Sequence, residues 1–128
     1  MPVVLDASAL LAMLKGEPGG DAVAAILDDT VIVTVNLAEV VGFYARRGSS
    51  EAEIRGLLVA LPSERHEFDE ELAYVVGLMS PATASAGLSF GDRACLALAR
   101  RLGARAMTAD RSWSRIAAAV GIEVQLIR

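Results

Sequence analysis

The sequence predicts an α/β fold in a single domain, built on a mostly parallel sheet. Short apolar runs typical of buried strands alternate with segments whose apolar residues recur at i, i+3, i+4 and i+7, as on one face of a helix. The clearest strand is at residues 31–34, where three β-branched apolar residues precede a threonine. Such alternation is characteristic of parallel sheets covered by helices, and 128 residues fit one domain.

The individual elements follow in order along the chain. A first strand at residues 2–5 leads into a helix at 7–15, which Gly16 and Pro18 end. Capping signals at Ser50 with Glu53, and at Asp69, open two later helices. The remaining predicted helices lie at residues 21–27, 37–44, 54–61, 72–79, 95–102 and 113–120. Further strands are predicted at 105–108, 123–126 and, less regularly, 65–68, and an exposed loop at 80–89.

Composition and charge exclude several classes of protein. With 54% hydrophobic and 22% charged residues, the chain does not have a disordered profile. Cys95 is the only cysteine, which excludes an intrachain disulfide and a thiolate metal cluster. No apolar run approaches the roughly 20 residues that span a bilayer, and the first residues do not resemble a signal peptide. We therefore expect a soluble, cytoplasmic protein with no membrane partner.

The charge is distributed unevenly. A net charge of −4 argues against a generic basic nucleic-acid binder. Residues 87–128, however, contain seven arginines and three acids, whereas residues 1–86 carry a net charge of −8. A polyanion can therefore lie along the C-terminal third without the whole surface being basic, although such an imbalance is also common on solvated surfaces.

Four acids fall where predicted strands end or helices begin: Asp6, Glu39, Asp92 and Asp110. Each has an ordinary structural explanation. Asp6 and Asp110 can cap the helices that follow them. Glu39 and Asp92 stand three residues after Asn36 and Ser89, as in a capping box. Taken singly, these acids indicate only helix starts.

Taken together, the same acids indicate a metal site. Strand-to-helix junctions of a parallel sheet share one edge, where ligands of open α/β sheets bind. Two carboxylates about 4 Å apart repel by roughly 4 kcal/mol at an effective dielectric near 20, so a converging cluster must protonate or bind a cation. Carboxylate oxygens suit Mg²⁺ or Mn²⁺. A metal-bound water can then hydrolyse a phosphodiester without a serine, cysteine or histidine nucleophile.

Four blocks of sequence surround the acids: VLDASAL at 4–10, NLAEV at 36–40, LSFGDRACLALA at 88–99 and MTADRSW at 107–113. Together they resemble the PIN domain, and most closely the VapC-type toxins of bacterial toxin–antitoxin operons. The blocks span almost the whole chain and occur in the order of the family. Residues 45–87 match only in pattern, and we expect that stretch to bear on substrate choice and partner binding.

The resemblance implies a PIN-like three-layer sandwich, with a five-stranded parallel sheet of order 3-2-1-4-5 flanked by helices. It implies an endoribonuclease that depends on Mg²⁺ or Mn²⁺, in which Ser8 and Thr108 orient the acids or the metal waters. The catalytic and metal-binding residues carried over are Asp6, Glu39, Asp92 and Asp110.

The resemblance also implies protein partners. These are a second copy of the chain, in a homodimer, and a small DNA-binding antitoxin whose tail blocks the acidic cleft, often with a basic side chain. The apolar helix faces at residues 37–44 and 54–61 can offer a groove for such a tail. The alternative is that these faces pack on the core.

Other residues are open to two interpretations. Arg93 and Arg111 flank two of the acids and either hold an RNA phosphate or balance the acidic cluster. Trp113 is expected to pack on the sheet, with base stacking as the alternative. Cys95 is expected to be a small buried hydrophobe. His66 lies in a charged stretch and is expected to be solvated, with a role as a metal ligand as the alternative.

Two other functional classes also depend on acidic side chains. A phosphatase or DNA nuclease can use the same acids, but haloacid-dehalogenase-type phosphatases need a second aspartate two residues after the first, where this chain has Ser8. A receiver-like signalling domain pairs adjacent acids near the N-terminus and uses a late lysine. The only lysine here is Lys15, which counts against that class.

Overall fold

Five short strands form one all-parallel sheet in the order β3-β2-β1-β4-β5. The computed structural model describes residues 2–128. Val4 of the first strand pairs with Val31 on one side and Ala106 on the other, so β1 is central. The predicted fold class and strand order are confirmed. The strands are β1 (Val3–Leu5), β2 (Thr30–Val33), β3 (Glu64–His66), β4 (Ala106–Thr108) and β5 (Val124–Leu126).

Helices connect the strands and carry the capping signals seen in the sequence. Ser50 and Glu53 form a reciprocal capping box at the start of α4, and Asp69 accepts a hydrogen bond from the backbone N–H of Leu72 in α5. Gly103 ends α7 in the left-handed conformation, with φ of 61°. The α-helices are α1 (Ala7–Lys15), α2 (Gly20–Ala24), α3 (Thr34–Arg46), α4 (Glu51–Val59), α5 (Glu70–Leu78), α6 (Ser80–Thr83), α7 (Phe90–Leu102) and α8 (Ala117–Val120). Three 3₁₀ turns lie at Leu27–Asp29, Ala84–Ala86 and Arg111–Arg115.

The sheet is buried on both faces, which makes three layers. Side chains of a strand alternate between its faces: Val4 packs with α5 and α7, whereas Leu5 packs with α1, α3 and α4. Seven residues of α7 are buried, including Cys95, as predicted. Trp113 is fully buried in the same layer as α7, which confirms that it packs in the core and leaves it no exposed face for stacking on a base.

Several sequence-based boundaries differ from the structure. The loop predicted at residues 80–89 contains α6 and a 3₁₀ turn, because Pro81 is acceptable in a first helical turn and Thr83 bonds back to the Met79 carbonyl. The helix predicted from Trp113 begins as a 3₁₀ turn. Helix α3 begins at Thr34, directly after β2. Asn36 therefore lies inside α3 and is not its cap.

Two arginine side chains tie elements together. Arg65 reaches back from β3 to the end of α4, where it donates to the carbonyls of Leu58, Leu61 and Ser63. It thereby joins β3 to the last turn of α4 and to the loop that follows that helix. Arg101 of α7 donates two hydrogen bonds, of 2.7 and 2.8 Å, to the carboxylate of Asp69 at the start of α5.

Within residues 2–128, no helix combines the length and apolar character needed to cross a membrane.

Candidate functional site

The acids identified from the sequence lie along the edge of the sheet where β1 and β4 end. Asp6 directly follows β1, and Asp110 lies two residues beyond β4. Asp92 stands in the first turn of α7. Glu39 is in the second turn of α3 rather than the first, since that helix begins earlier than predicted.

Asp6 is the most constrained of these side chains. It caps α1 by accepting from the backbone N–H of Ala9 at 2.8 Å, as predicted. It also accepts from the Ser8 hydroxyl, at 2.8 and 2.9 Å from its two oxygens, and from the Thr108 hydroxyl at 2.6 Å. Only 3% of Asp6 is exposed. Burial raises the pKa of Asp6 to about 6, despite these hydrogen bonds, which lower it.

Ser8 and Thr108 form a hydroxyl pair that joins the two strand ends. Their oxygens are 3.3 Å apart. The Ser8 oxygen accepts from the backbone N–H of Ala109, and the Thr108 oxygen accepts from the backbone N–H of Asp110, each at 3.0 Å. The hydroxyl pair therefore fixes Asp6 and the backbone before Asp110 relative to each other.

Asp92 and Asp110 each make the capping contact that the sequence suggested. Asp92 and Ser89 form a reciprocal capping box, with 2.8 Å from the Ser89 N–H to Asp92 Oδ2. Asp110 is exposed and accepts from the backbone N–H and hydroxyl of Ser112, at 2.9 and 2.8 Å. The pKa of Asp92 is raised by its partial burial and, secondarily, by the charge of Asp110.

Glu39 is held by two residues whose part in the site the sequence did not indicate. The side-chain amide of Asn36 donates to Glu39 Oε1 at 2.7 Å and to the carbonyl of Gly91 at 3.0 Å. The Glu39 carboxylate also lies directly against the α-carbon of Gly91 in α7. The sequence signals were the capping-box spacing of Asn36 and Glu39, which was interpreted as a helix start, and a glycine next to a candidate acid.

The carboxylates share an edge without forming a ready-made metal centre. Across residues 2–128, no three or more Asp, Glu, His or Cys side chains are grouped closely enough to hold a metal ion. The expectation that the acids converge to ligand distance is therefore not met.

The acids nevertheless act on one another, and their chemistry fits a cation. After burial and the hydrogen bonds, the charge of Asp92 also raises the pKa of Asp6. The pKa of the Cys95 thiol is raised mainly by burial and further by Asp6, Asp92 and Glu39. The carboxylates of three separate segments therefore lie near enough to affect the same thiol. An all-carboxylate donor set of this kind suits a hard divalent cation.

The two candidate phosphate-binding arginines differ in their surroundings. Arg93 is half-buried, and its guanidinium lies 3.4 Å from the carbonyls of Ser89 and Val76. Arg111 is exposed, beside Asp110. His66 is half-buried, with its Nδ1 3.0 Å from the carbonyl of Glu67.

A groove of about 830 Å³ runs between α3 and α4, away from the acids. Ile54 and Leu58 in its wall are buried, whereas Leu37 and Val41 are half-buried. The two interpretations of these helix faces are therefore both partly correct, since the same residues pack on the core and line an open groove. Its lining is mainly apolar and includes Leu37, Val41, Ala45, Ile54, Leu58 and Val59.

Comparison with known proteins gives the fold a name. The PIN domain family model matches residues 3–119. A toxin–antitoxin complex from Klebsiella pneumoniae has a chain with a TM-score of 0.74 and 16% identity, covering 98% of both chains. VapBC-1 from nontypeable Haemophilus influenzae gives 0.71 at 20% identity, covering 99% of this chain and 98% of the other.

VapBC2 from Rickettsia felis, solved with a DNA fragment from its promoter, gives a TM-score of 0.71 at 14% identity, covering 98% of both chains. No match was found among curated proteins. The structural similarities concern the fold, whereas the family match extends from β1 into α8. The chain therefore belongs to the PIN domain family.

Proposed function

We propose that this protein is a VapC-type endoribonuclease that hydrolyses RNA phosphodiester bonds with Mg²⁺ or Mn²⁺. The burial of the Asp6 carboxylate is the observation that carries the proposal. A helix cap needs only a carboxylate at the surface, but this carboxylate is 3% exposed and is held by residues from both β1–α1 and β4. Burying a charge in this way is unfavourable unless it is compensated. Perturbed acids of this kind are typical of functional sites.

The proposed metal-binding set consists of carboxylates from four elements. Asp6 and Asp92 are its centre, because burial raises the pKa of both carboxyl groups at this edge of the sheet. Glu39 and Asp110 complete the set. When bound, the divalent ion supplies a nucleophilic water at neutral pH and offsets charge on the phosphate and the leaving oxygen.

The neighbouring residues orient this set. Ser8 and Thr108 hold Asp6 in one orientation by donating to both of its oxygens. The N–H of Asp110 is fixed on Thr108, which sets the direction in which the chain leaves β4. Arg111 is exposed beside Asp110, which supports a role for its guanidinium in binding an RNA phosphate.

The proposed regulation is by a cognate antitoxin. One protein with this fold is described as a toxin–antitoxin complex, and others are described as VapBC. The apolar groove between α3 and α4 can accept apolar side chains of an antitoxin tail, and a basic side chain of that tail can neutralise the acids. The proposal also includes a homodimer and a cytoplasmic location, both of which rest on the resemblance to VapC-type toxins.

Cleavage of total RNA by the purified protein tests the activity. We expect discrete products with Mg²⁺ or Mn²⁺, none with chelator, and none from Asp6→Asn or Asp92→Asn. Asp28→Asn is the matched control, because Asp28 is an exposed acid in the turn before β2. Its products should equal those of the wild type.

The same assay can contradict each part of the proposal separately. Cleavage that persists in both Asp6→Asn and Asp92→Asn would overturn the residue assignment. Activity in chelator would overturn the metal dependence. Cleavage of DNA but not RNA would favour the competing DNA nuclease function.

A further inference from the structure

Gly91 occupies a position in α7 where a side chain would collide with Glu39. A Cβ built on Gly91 lies 2.4 Å from Glu39 Oε1 and 2.7 Å from both Cδ and Oε2. Gly91 is not among the glycines with positive φ, so its backbone conformation does not require glycine. Glycine is otherwise unfavourable inside a helix. The missing side chain is therefore explained by the carboxylate that lies against it.

The contact differs from ordinary close packing at a glycine. At Gly20, a Cβ would meet backbone atoms of Ala12 and Met13, as near as 2.6 Å, and these atoms cannot easily move. At Gly91, the three nearest atoms all belong to the end of one Glu39 side chain. A larger residue at position 91 can therefore be accommodated by a rotation of Glu39, and the fold can survive the change.

Asn36 contacts the same carboxylate through a hydrogen bond. Its side chain is 1% exposed, and its Nδ2 donates both to Glu39 Oε1 and to the carbonyl of Gly91. Its Oδ1 is buried and has no hydrogen-bond partner within residues 2–128. A buried acceptor without a partner is destabilising, so the amide is poorly explained as a stabilising core contact. Its two donated bonds instead connect α3, the carboxylate and α7.

We propose that Asn36 and Gly91 are positioning residues that hold the Glu39 carboxylate against the first turn of α7, one residue before Asp92. Glu39 is an exposed residue, and these contacts restrict where its carboxylate oxygens can lie. The role matters for catalysis because Glu39 and Asp92 belong to the proposed metal-binding set, and to that extent it rests on the proposed function.

The substitution Gly91→Ala tests the role, with Gly77→Ala as the matched control. Gly77 lies in helix α5, and a Cβ there would meet no atom within 4 Å. We expect Gly91→Ala to fold with an unchanged or higher melting temperature. Its cleavage rate at saturating RNA and its affinity for Mn²⁺ should fall by about 10- to 100-fold, the usual effect of losing a residue that orients a metal ligand. Gly77→Ala should retain both.

A double substitution tests whether Gly91 acts through Glu39. In a Glu39→Ala background the collision is removed, so adding Gly91→Ala should change the affinity for Mn²⁺ by less than about twofold, since effects are additive only for independent sites. An equal loss of Mn²⁺ affinity in that background and in the wild type would overturn the proposal. So would a Gly91→Ala protein with wild-type cleavage and Mn²⁺ affinity.

The side-chain amide signals of Asn36 in ¹H–¹⁵N spectra give a readout that needs no activity. They should shift in Gly91→Ala as they do in Glu39→Ala, and remain in place in Gly77→Ala. Unmoved signals in Gly91→Ala would overturn the placement of Glu39. If the wild type cleaves no RNA, the proposed function fails, while the spectra and the Mn²⁺ titration still decide whether Gly91 and Asn36 position Glu39.

Discussion

Replacing Asp6 with asparagine is expected to make the metal-free protein more stable at neutral pH. Burial raises the pKa of Asp6 from 3.8 to about 6. A pKa difference of about 2 corresponds to about 3 kcal/mol. The folded state binds the Asp6 proton more tightly than the unfolded state does. The protonated carboxyl therefore contributes this free energy to folding stability fully below about pH 4, and the contribution is lost as the pH rises through about 6. Above that pH, Asp6 of the wild type is ionised, and the free energy of unfolding is lowered by the full cost of burying its charge.

Asparagine removes the charge and can keep most of the local hydrogen bonds. Its Oδ1 can accept from the N–H of Ala9, and the hydroxyls of Ser8 and Thr108 can rotate to accept from its Nδ2. At pH 8 the free energy of unfolding of Asp6→Asn is therefore expected to exceed that of the wild type by up to about 3 kcal/mol. Hydrogen bonds that asparagine cannot make reduce this difference. At pH 4 the gain should fall below about 1 kcal/mol, since the wild-type carboxyl is then largely protonated in the folded state.

Urea unfolding at pH 4, 6 and 8 in the presence of chelator measures this difference. The advantage of Asp6→Asn over the wild type should grow with pH, whereas Asp28→Asn should show no such trend. Excess Mn²⁺ should narrow the advantage at pH 8, because it stabilises only the protein that binds it. An advantage that does not depend on pH, or an asparagine variant that is less stable at pH 8, would refute the reasoning.

Two further predictions concern regions away from Asp6. The hydrogen bonds from Arg101, followed by that from the Leu72 N–H, hold the pKa of Asp69 well below its usual range, so the stability from this pair is present near neutral pH and is lost in strong acid. The melting temperature of Arg101→Gln should lie below that of the wild type at pH 6, and the gap should close towards pH 2; a constant gap would contradict this. Val41→Glu, in the groove between α3 and α4, should weaken binding of a co-expressed cognate antitoxin in a pull-down while leaving RNA cleavage intact, and undiminished binding would place the tail elsewhere.

The sequence was most informative where burial requires a particular residue type. The strand predicted at 31–34 agrees with β2 to within one residue at each end. A run of β-branched apolar residues of this kind strongly favours a buried strand. Helix α7 was identified from its apolar spacing and the stop at Gly103. Periodicity could not give the order of the strands, since every buried parallel strand has a similar pattern. That order came from the family resemblance and is confirmed.

The candidate site was less predictable. Asp6 and Asp92 were recognised, and their capping contacts were expected. The contact between Glu39 and Gly91 was not, because the two residues are far apart in sequence and only tertiary packing brings them together. The role of Asn36 was misassigned, since nothing in the local sequence showed that α3 begins at Thr34 without a side-chain cap.

The arrangement of the outer strands affects how the protein can aggregate. A sheet edge with unpaired backbone groups can template addition of a foreign strand. Here β3 is an edge strand of charged and polar residues, Glu64, Arg65 and His66. The Arg65 side chain already donates to carbonyls at the end of α4 and in the loop after it. At the opposite edge, β5 is only three residues long. Growth into fibrils by edge-to-edge pairing is thereby disfavoured, and any self-association is directed to the helical surfaces.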